Sequence, residues 1–197
     1  MVKKLIVLCW LTLFLAPGVS AQEPANPGPG EKINHYSLAI GLGWVHYINT
    51  LDIGADLATI NSPGLSLRFF WEPEHRLSLG LETGFYRLYK VKSGTDAPTS
   101  GFATMSAMPL LLAARMRIVD RFYLSAGAGL AAMFNKVSGI DHTISSTIIS
   151  FSNFQFSASY IYPLSKHWQV GGELKFLNYG KTDDWIYSLQ VFCAVRL

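Results

Sequence analysis

The sequence predicts an all-β fold, an eight-stranded antiparallel up-and-down transmembrane β-barrel that follows a cleaved signal peptide. Three observations favour this fold. Apolar and polar residues alternate with a period of two in eight segments, long and short connections alternate between those segments, and the apolar faces carry aromatic residues near both ends. Beyond the N-terminal segment no stretch approaches the roughly 20 consecutive apolar residues of a transmembrane helix, which excludes a helical membrane bundle.

The N-terminal segment has the three regions of a secretory signal peptide. Lys3 and Lys4 form a basic region, residues 5–15 form an apolar region, and residues 19–21 (VSA) form a small-residue cleavage site. The apolar region is much shorter than the roughly 20 residues that a spanning helix needs. We therefore expect residues 1–21 to be a signal peptide that is removed.

The remaining chain divides into a short leader and one domain. Residues 22–33 are rich in Pro and Gly and lack periodicity, which predicts a flexible periplasmic leader, and residues 34–197 are expected to form the barrel. Loss of Lys3 and Lys4 lowers the formal charge from +3 to +1, with both signs interspersed, so no nucleic-acid partner is implied. Cys193 is then the one cysteine left, which excludes an intramolecular disulfide.

Eight strands are predicted from the period-two pattern. They span residues 35–47, 64–72, 76–89, 102–117, 122–134, 150–162, 168–177 and 185–197. The connections 48–63, 90–101 and 135–149 are long, whereas 73–75, 118–121 and 163–167 are tight turns. Because tight turns face the periplasm in bacterial outer-membrane barrels, we expect the long connections to be extracellular loops. The fourth strand is the least regular, since residues 108–114 are apolar on both faces and include Pro109.

The polar faces of these strands predict the inside of the barrel. They consist mainly of Ser, Gly, Ala and Gln, which fit a narrow lumen, whereas a soluble lipocalin-like barrel would carry many Lys and Glu on its solvated face. Charged side chains on this face must be paired. We interpret them as a structural ion-pair network that plugs the lumen, with a narrow ion or small-solute pore as an alternative. The network residues are Arg68, Glu72, Glu82, Arg115, Arg117, Glu173 and Lys175.

The apolar faces end in aromatic residues at both ends of the strands. Such residues form girdles at the two interfaces of a membrane, whereas the alternative is a set of aromatics that fills a sandwich core. We expect one girdle near the turns and one near the long loops. The residues of the first are Tyr36, Trp71, Phe122, Tyr162 and Trp168, and those of the second are Trp44, Tyr89, Phe134 and Trp185.

The alternating segments, the AGAGL run at residues 126–130 and the MPLLL run at residues 108–112 resemble the OmpA/OmpX-like family of small outer-membrane barrels, a porin-like superfamily. The resemblance covers residues 34–197 and implies an integral, monomeric protein of the bacterial outer membrane. It also implies contact with outer-membrane lipid, including lipopolysaccharide, and insertion by the outer-membrane assembly machinery. Many such proteins end on an aromatic residue, whereas this chain ends on Val195, Arg196 and Leu197.

Some barrels of this size modify lipid A, and two sets of residues could in principle supply a catalytic histidine and serine. His35 and Ser37 share a face, but that face is the lumen at the periplasmic end. Asp141, His142, Ser145 and Ser146 lie in a predicted loop at the extracellular end. Neither set predicts catalysis, and His46, His75 and His167 lack the spacing of a metal site.

We therefore expect no enzyme, no cofactor and no metal. The leading hypothesis is a structural or binding scaffold whose long extracellular loops contact an unknown ligand. The alternatives are a lipid A-modifying outer-membrane enzyme and a narrow pore.

Overall fold

A computed structural model describes residues 35–48, 58–73, 76–93, 101–139 and 142–197. The predicted signal peptide (1–21), the leader (22–33) and parts of the predicted loops lie outside the described residues. No helix in these described ranges has the length and apolar character needed to cross a membrane.

The described residues form strands joined by turns. Their bounds are β1 His35–Ile48, β2 Ala58–Thr59, β3 Asn61–Glu72, β4 Leu77–Ser93, β5 Gly101–Val119, β6 Phe122–Ser138, β7 Thr143–Pro163, β8 Trp168–Tyr179 and β9 Asp184–Arg196. β2 is a two-residue strand that extends the pairing of β4, and the other strands are long. Each long strand pairs antiparallel with its neighbours in the chain, and β1 pairs with β9. The eight long strands therefore close into an up-and-down barrel, which confirms the predicted fold class.

Strict alternation along the strands separates the two faces of the barrel wall. In β3 the side chains of Leu65, Leu67 and Phe69 are exposed, whereas those of Ser66 and Arg68 between them are buried. Successive side chains of a strand point to opposite faces, so the apolar set lies outside and the polar set faces the lumen.

The exterior of the barrel is a continuous apolar belt. Leu42, Leu112 and Val191 are 64%, 67% and 61% exposed, and large apolar side chains are exposed on every long strand. Monomeric soluble proteins rarely expose apolar patches larger than a few hundred Å². The belt is therefore a lipid-facing surface, and the barrel is of the transmembrane type.

The prediction of a long loop at residues 135–149 was wrong. β6 continues to Ser138 and β7 begins at Thr143, so that the two strands form a long hairpin with the pairs Asn135↔Ser146 and Ser138↔Thr143. Polar serines and threonines in this segment suggested a loop, but β-branched Thr and Ile residues also suit an exposed strand pair. The connections 48–63 and 90–101 are shortened in the same way, because β3 begins at Asn61 and β4 extends to Ser93.

The wall of the barrel is consequently uneven in height. β4, β5, β6 and β7 contain 17, 19, 17 and 21 residues, and we call them the tall wall. β1, β3, β8 and β9 contain 14, 12, 12 and 13 residues, and we call them the short wall. The end of the barrel where β3 is followed by β4, β5 by β6 and β7 by β8 is the turn end, and the opposite end is the loop end. In outer-membrane barrels the turn end faces the periplasm.

Candidate functional site

Four charged side chains meet in the middle of the lumen, and we call them the central cluster: Arg68, Glu82, Glu173 and Lys175. The Lys175 ammonium is fully buried and pairs with Oε1 of Glu82, and it lies 3.4 Å from Oε2 of Glu173. Nη1 of Arg68 lies 3.0 Å from Oε1 of Glu173. Arg68 and Glu82 are register partners on β3 and β4, whereas Glu173 and Lys175 share the inward face of β8.

Neutral side chains add hydrogen bonds to the central cluster, although Nε and Nη2 of Arg68 have no hydrogen-bond partner among the described residues. The Gln155 amide donates to Oε2 of Glu82 at 2.6 Å, and the Ser157 hydroxyl donates to Oε1 of Glu173 at 2.7 Å. The Arg68 guanidinium lies over the ring of Phe192, 4.3 Å from its centroid. A buried charge is tolerated when it is both paired and hydrogen-bonded, so this arrangement stabilises four charges away from water.

A second group of charges lies at the turn end, around Glu72. Its carboxylate accepts hydrogen bonds from Ser37 at 2.6 Å, from Arg115 at 2.6 Å and from Arg196 at 2.9 Å. The Arg115 guanidinium also lies over the ring of Phe70, 4.3 Å from its centroid. We call Glu72, Arg115 and Arg196 the turn-end cluster.

The turn-end cluster differs from the predicted network in two residues. Arg196 was not included in the prediction, although the alternation of the last strand puts it on the inward face. Arg117, which was included, is exposed at the rim and has no carboxylate partner among the described residues.

A pocket of about 100 Å³ opens at the turn end beside this cluster. Arginines from three strands or their ends line it. The lining residues in the described part of the chain are His35, Glu72, Pro73, Arg76, Ser78, Arg115, Arg117, Tyr123 and Arg196.

The loop end of the lumen is filled by apolar and aromatic side chains, which we call the loop-end cluster. The Tyr47 hydroxyl donates a hydrogen bond to the buried carboxylate of Asp184 at its edge. The Tyr86 ring fits because it lies against two glycines: a Cβ at Gly64 would lie 3.0 Å from its Cδ1, and one at Gly84 would lie 2.9 Å from its Cε2. The members of the cluster are Val45, Tyr47, Tyr86, Leu88, Met105, Ala107, Leu111, Ala131, Met133, Leu177, Tyr179 and Ile186.

Sequence reasoning missed the loop-end cluster because it expected small residues throughout the lumen. The signal was present at residues 108–114, whose apolar side chains on both faces were treated as an irregularity. Leu111 and Ala113 of that segment are buried inside, and Leu110 and Leu112 face outward.

The predicted girdle residues lie mainly on the exterior. Tyr162 is partly buried there, and the Arg121 guanidinium lies 4.8 Å from its ring centroid. Tyr89 does not join the girdle, because a β-bulge between Arg87 and Tyr89 turns its ring against Tyr47, at 5.3 Å between centroids. The exposed members are Tyr36, Trp44, Trp71, Phe122, Phe134, Trp168 and Trp185.

Among the described residues, no hydrogen bond joins a candidate catalytic histidine to a candidate serine. The Ser37 hydroxyl donates to Glu72, while His35 lines the turn-end pocket. His142, Ser145 and Ser146 are exposed at the tip of the β6–β7 hairpin, and Asp141 lies outside the described residues. Within the described part of the chain no group of three or more His, Cys, Asp or Glu residues is arranged to hold a metal ion.

Comparison with solved structures finds proteins of similar fold. No family model and no curated protein matches the sequence. Ail, the attachment invasion locus protein of Yersinia pestis, crystallised with the heparin analogue sucrose octasulfate, superposes with a TM-score of 0.56 at 13% identity, over 83% of this chain and 99% of that chain. A major outer membrane protein from Thermus thermophilus superposes with a TM-score of 0.53 at 16% identity, over 83% and 99% of the two chains.

At these identities the likeness concerns the fold. The closed antiparallel barrel, its apolar belt and these two neighbours agree with the OmpA/OmpX-like resemblance of the sequence. The chain therefore has the fold of the small bacterial outer-membrane β-barrels, and its apolar exterior is that of an integral protein of that membrane.

Proposed function

We propose that this protein is a non-catalytic binding scaffold of the outer membrane, in which a barrel with a closed lumen carries a recognition surface outside the cell. The observation that carries the proposal is the height of the tall wall. Its strands contain 17 to 21 residues, whereas about 9–11 residues of a tilted strand span the bilayer. The additional residues of each strand support a rigid sheet that extends beyond the membrane on one side of the barrel.

The free edge of β7 supports a polypeptide as the ligand. β7 pairs with β8 over Asn153–Pro163, whereas residues 143–150 pair with β6 on one side and have no strand partner among the described residues on the other. A free strand edge offers backbone N–H and C=O groups to an extended segment of another protein. Ile149 and Phe151, 51% and 76% exposed, add apolar surface beside this edge.

Shortening the β6–β7 hairpin tests this surface. Removal of residues 137–144, which include the paired tip residues Val137 and Ile144, should abolish binding to a panel of immobilised extracellular proteins. The barrel should still fold, as judged by heat-modifiable gel mobility. A matched deletion of residues 95–100, in the connection between β4 and β5, should preserve binding. Equal loss of binding in both variants, or loss in neither, would contradict the proposal.

A closed lumen is the second part of the proposal. The central cluster and the loop-end cluster support it, because both are almost fully buried at successive levels of the barrel interior. Single-channel recording on the refolded protein should therefore detect no sustained conductance. Large, stable openings would favour the narrow pore instead.

Lipopolysaccharide is the lipid partner that we propose for the exterior. Lys90 pairs in register with Thr104, which pairs with Lys136, so the two lysines share a face of the tall wall near the loop end. Positive charges at this level suit the anionic head groups of the outer leaflet. Substitution of Lys90 and Lys136 by Gln should reduce the lipopolysaccharide that co-purifies with the barrel, whereas Lys166→Gln at the turn end should not.

Insertion by the assembly machinery and a monomeric state stay predictions.

A further inference from the structure

The turn-end pocket carries an excess of positive charge. Arg76, Arg115, Arg117 and Arg196 line it, and Glu72 is the acidic residue among its described lining residues. Four positive charges and one negative charge leave an excess of three with His35 neutral. Clefts lined by charge of one sign concentrate ligands of the opposite sign.

Both oxygens of the Glu72 carboxylate, the one carboxylate among the described lining residues, already accept hydrogen bonds. Oε1 of Glu72 accepts from Ser37 and Arg115, and Oε2 accepts from Arg196. Arg76 and Arg117 have no carboxylate partner among the described residues, so their guanidinium groups are available to a ligand.

The buried arginine of the pocket has unused hydrogen-bonding capacity. Arg115 is 8% exposed, and its Nε–H has no acceptor within the described residues. The Nε–H of Arg196 also has no hydrogen-bond acceptor among the described residues. A buried donor without an acceptor is costly, and an anion in the pocket would remove that cost.

We propose that the turn-end pocket binds a phosphate group. Arginines from β5 and β9 and from the residue before β4 converge on one space of about 100 Å³, and a tetrahedral anion can accept hydrogen bonds from several directions at once. The planar guanidinium fork matches phosphate oxygens, and the four cations among the described lining residues are all arginines. Because this end of the barrel faces the periplasm, the phosphate belongs either to a phospholipid head group of the inner leaflet or to a soluble phosphorylated solute.

Calorimetric titration of the refolded full chain with inorganic phosphate, in a non-ionic maltoside detergent, tests the pocket. The double variant Arg76→Gln/Arg117→Gln removes two rim charges that make no ion pair with Glu72. We expect each lost arginine to weaken phosphate binding by about tenfold. The control is Arg121→Gln, which removes one arginine charge at the same end but from a residue outside the described pocket lining, and the single variants Arg76→Gln and Arg117→Gln match it in charge. Heat-modifiable gel mobility verifies that each variant folds.

A second measurement distinguishes the two sources of phosphate. The barrel is placed in phosphatidylcholine nanodiscs with or without phosphatidic acid, and the lipid that it retains is measured by native mass spectrometry. Arginine-dependent binding of inorganic phosphate alone supports a soluble ligand, and arginine-dependent retention of phosphatidic acid supports a lipid head group. Equal binding by the double variant and the Arg121→Gln control, or no saturable binding of either probe, overturns the proposal.

Discussion

The two halves of the barrel interior are filled by opposite chemistry. The centre and the turn end hold paired charges beside a small apolar cluster around Phe192, with the Lys175 ammonium fully buried between two carboxylates. The loop end holds apolar side chains, with Leu88 and Tyr86 fully buried. Removal of one partner of a buried ion pair leaves an uncompensated charge, whereas removal of an apolar side chain leaves a cavity. The stability of the charged half therefore depends on each charge keeping its partner. The stability of the apolar half depends on how completely its side chains fill the interior.

The largest effect is expected from Lys175→Met, which leaves Glu82 and Glu173 buried without the ammonium that they share. The free energy of unfolding should fall by about 3–5 kcal/mol. Urea titration of the detergent-refolded barrel measures it.

The matched control for this variant is Lys166→Met, an exposed lysine in the turn between β7 and β8. It should change the unfolding free energy by no more than about 0.5 kcal/mol. If Lys175→Met lowered the unfolding free energy as little as the control does, the ion pairs of Lys175 would not stabilise the barrel.

Leu88→Ala probes the apolar half, because Leu88 is fully buried in the loop-end cluster. The cavity should lower the unfolding free energy by about 2–5 kcal/mol. Leu112→Ala is the comparison, since Leu112 faces outward and is 67% exposed. Lipid chains can fill the space that its side chain leaves, so the same urea titration should show a clearly smaller decrease in the unfolding free energy. Equal decreases in the unfolding free energy for both variants would contradict the assignment of Leu88 to a packed interior and of Leu112 to a lipid-facing exterior.

Leu67→Arg compares the interior with the exterior on adjacent residues of β3. A charge in the lipid-facing position should cost about 2–4 kcal/mol near the midplane of the membrane. Ser66→Ala, at the neighbouring inward position, removes the hydrogen bond from the Ser66 hydroxyl to Gln190 and should cost about 1 kcal/mol. Unfolding in lipid vesicles measures both variants. A tolerated Arg at residue 67 would argue against a lipid-facing wall.

The charged half of the lumen was largely predictable from the sequence, and the apolar half was not. A charged residue in a period-two strand must lie on one face, so alternation alone assigned Arg68, Glu82, Glu173 and Lys175 to the inside. Apolar residues carry no such label, because Leu88 and Leu67 are the same residue type on opposite faces. Their faces follow from alternation with polar neighbours: Leu88 has the inward parity of Glu82 on β4, and Leu67 lies next to inward Arg68 on β3.

Contacts across the lumen could not be predicted from local patterns either. Glu72 on β3 binds Arg115 on β5 and Arg196 on β9, strands that are not its sheet neighbours. The eight segments and their order follow from periodicity and turns, whereas partners across the interior depend on the curvature that closes the sheet.

The pairing of β1 with β9 bears on how the barrel forms. Ser37 lies opposite Arg196, so this seam joins the first and the last strands of the described chain. The entropic cost of closing a loop rises with its length, and pairings between distant residues form slowly. Until the seam closes, β1 and β9 each have an open edge whose backbone groups cannot be satisfied in hydrocarbon. We therefore expect closure of the β1–β9 seam and entry of the barrel into the bilayer to be coupled.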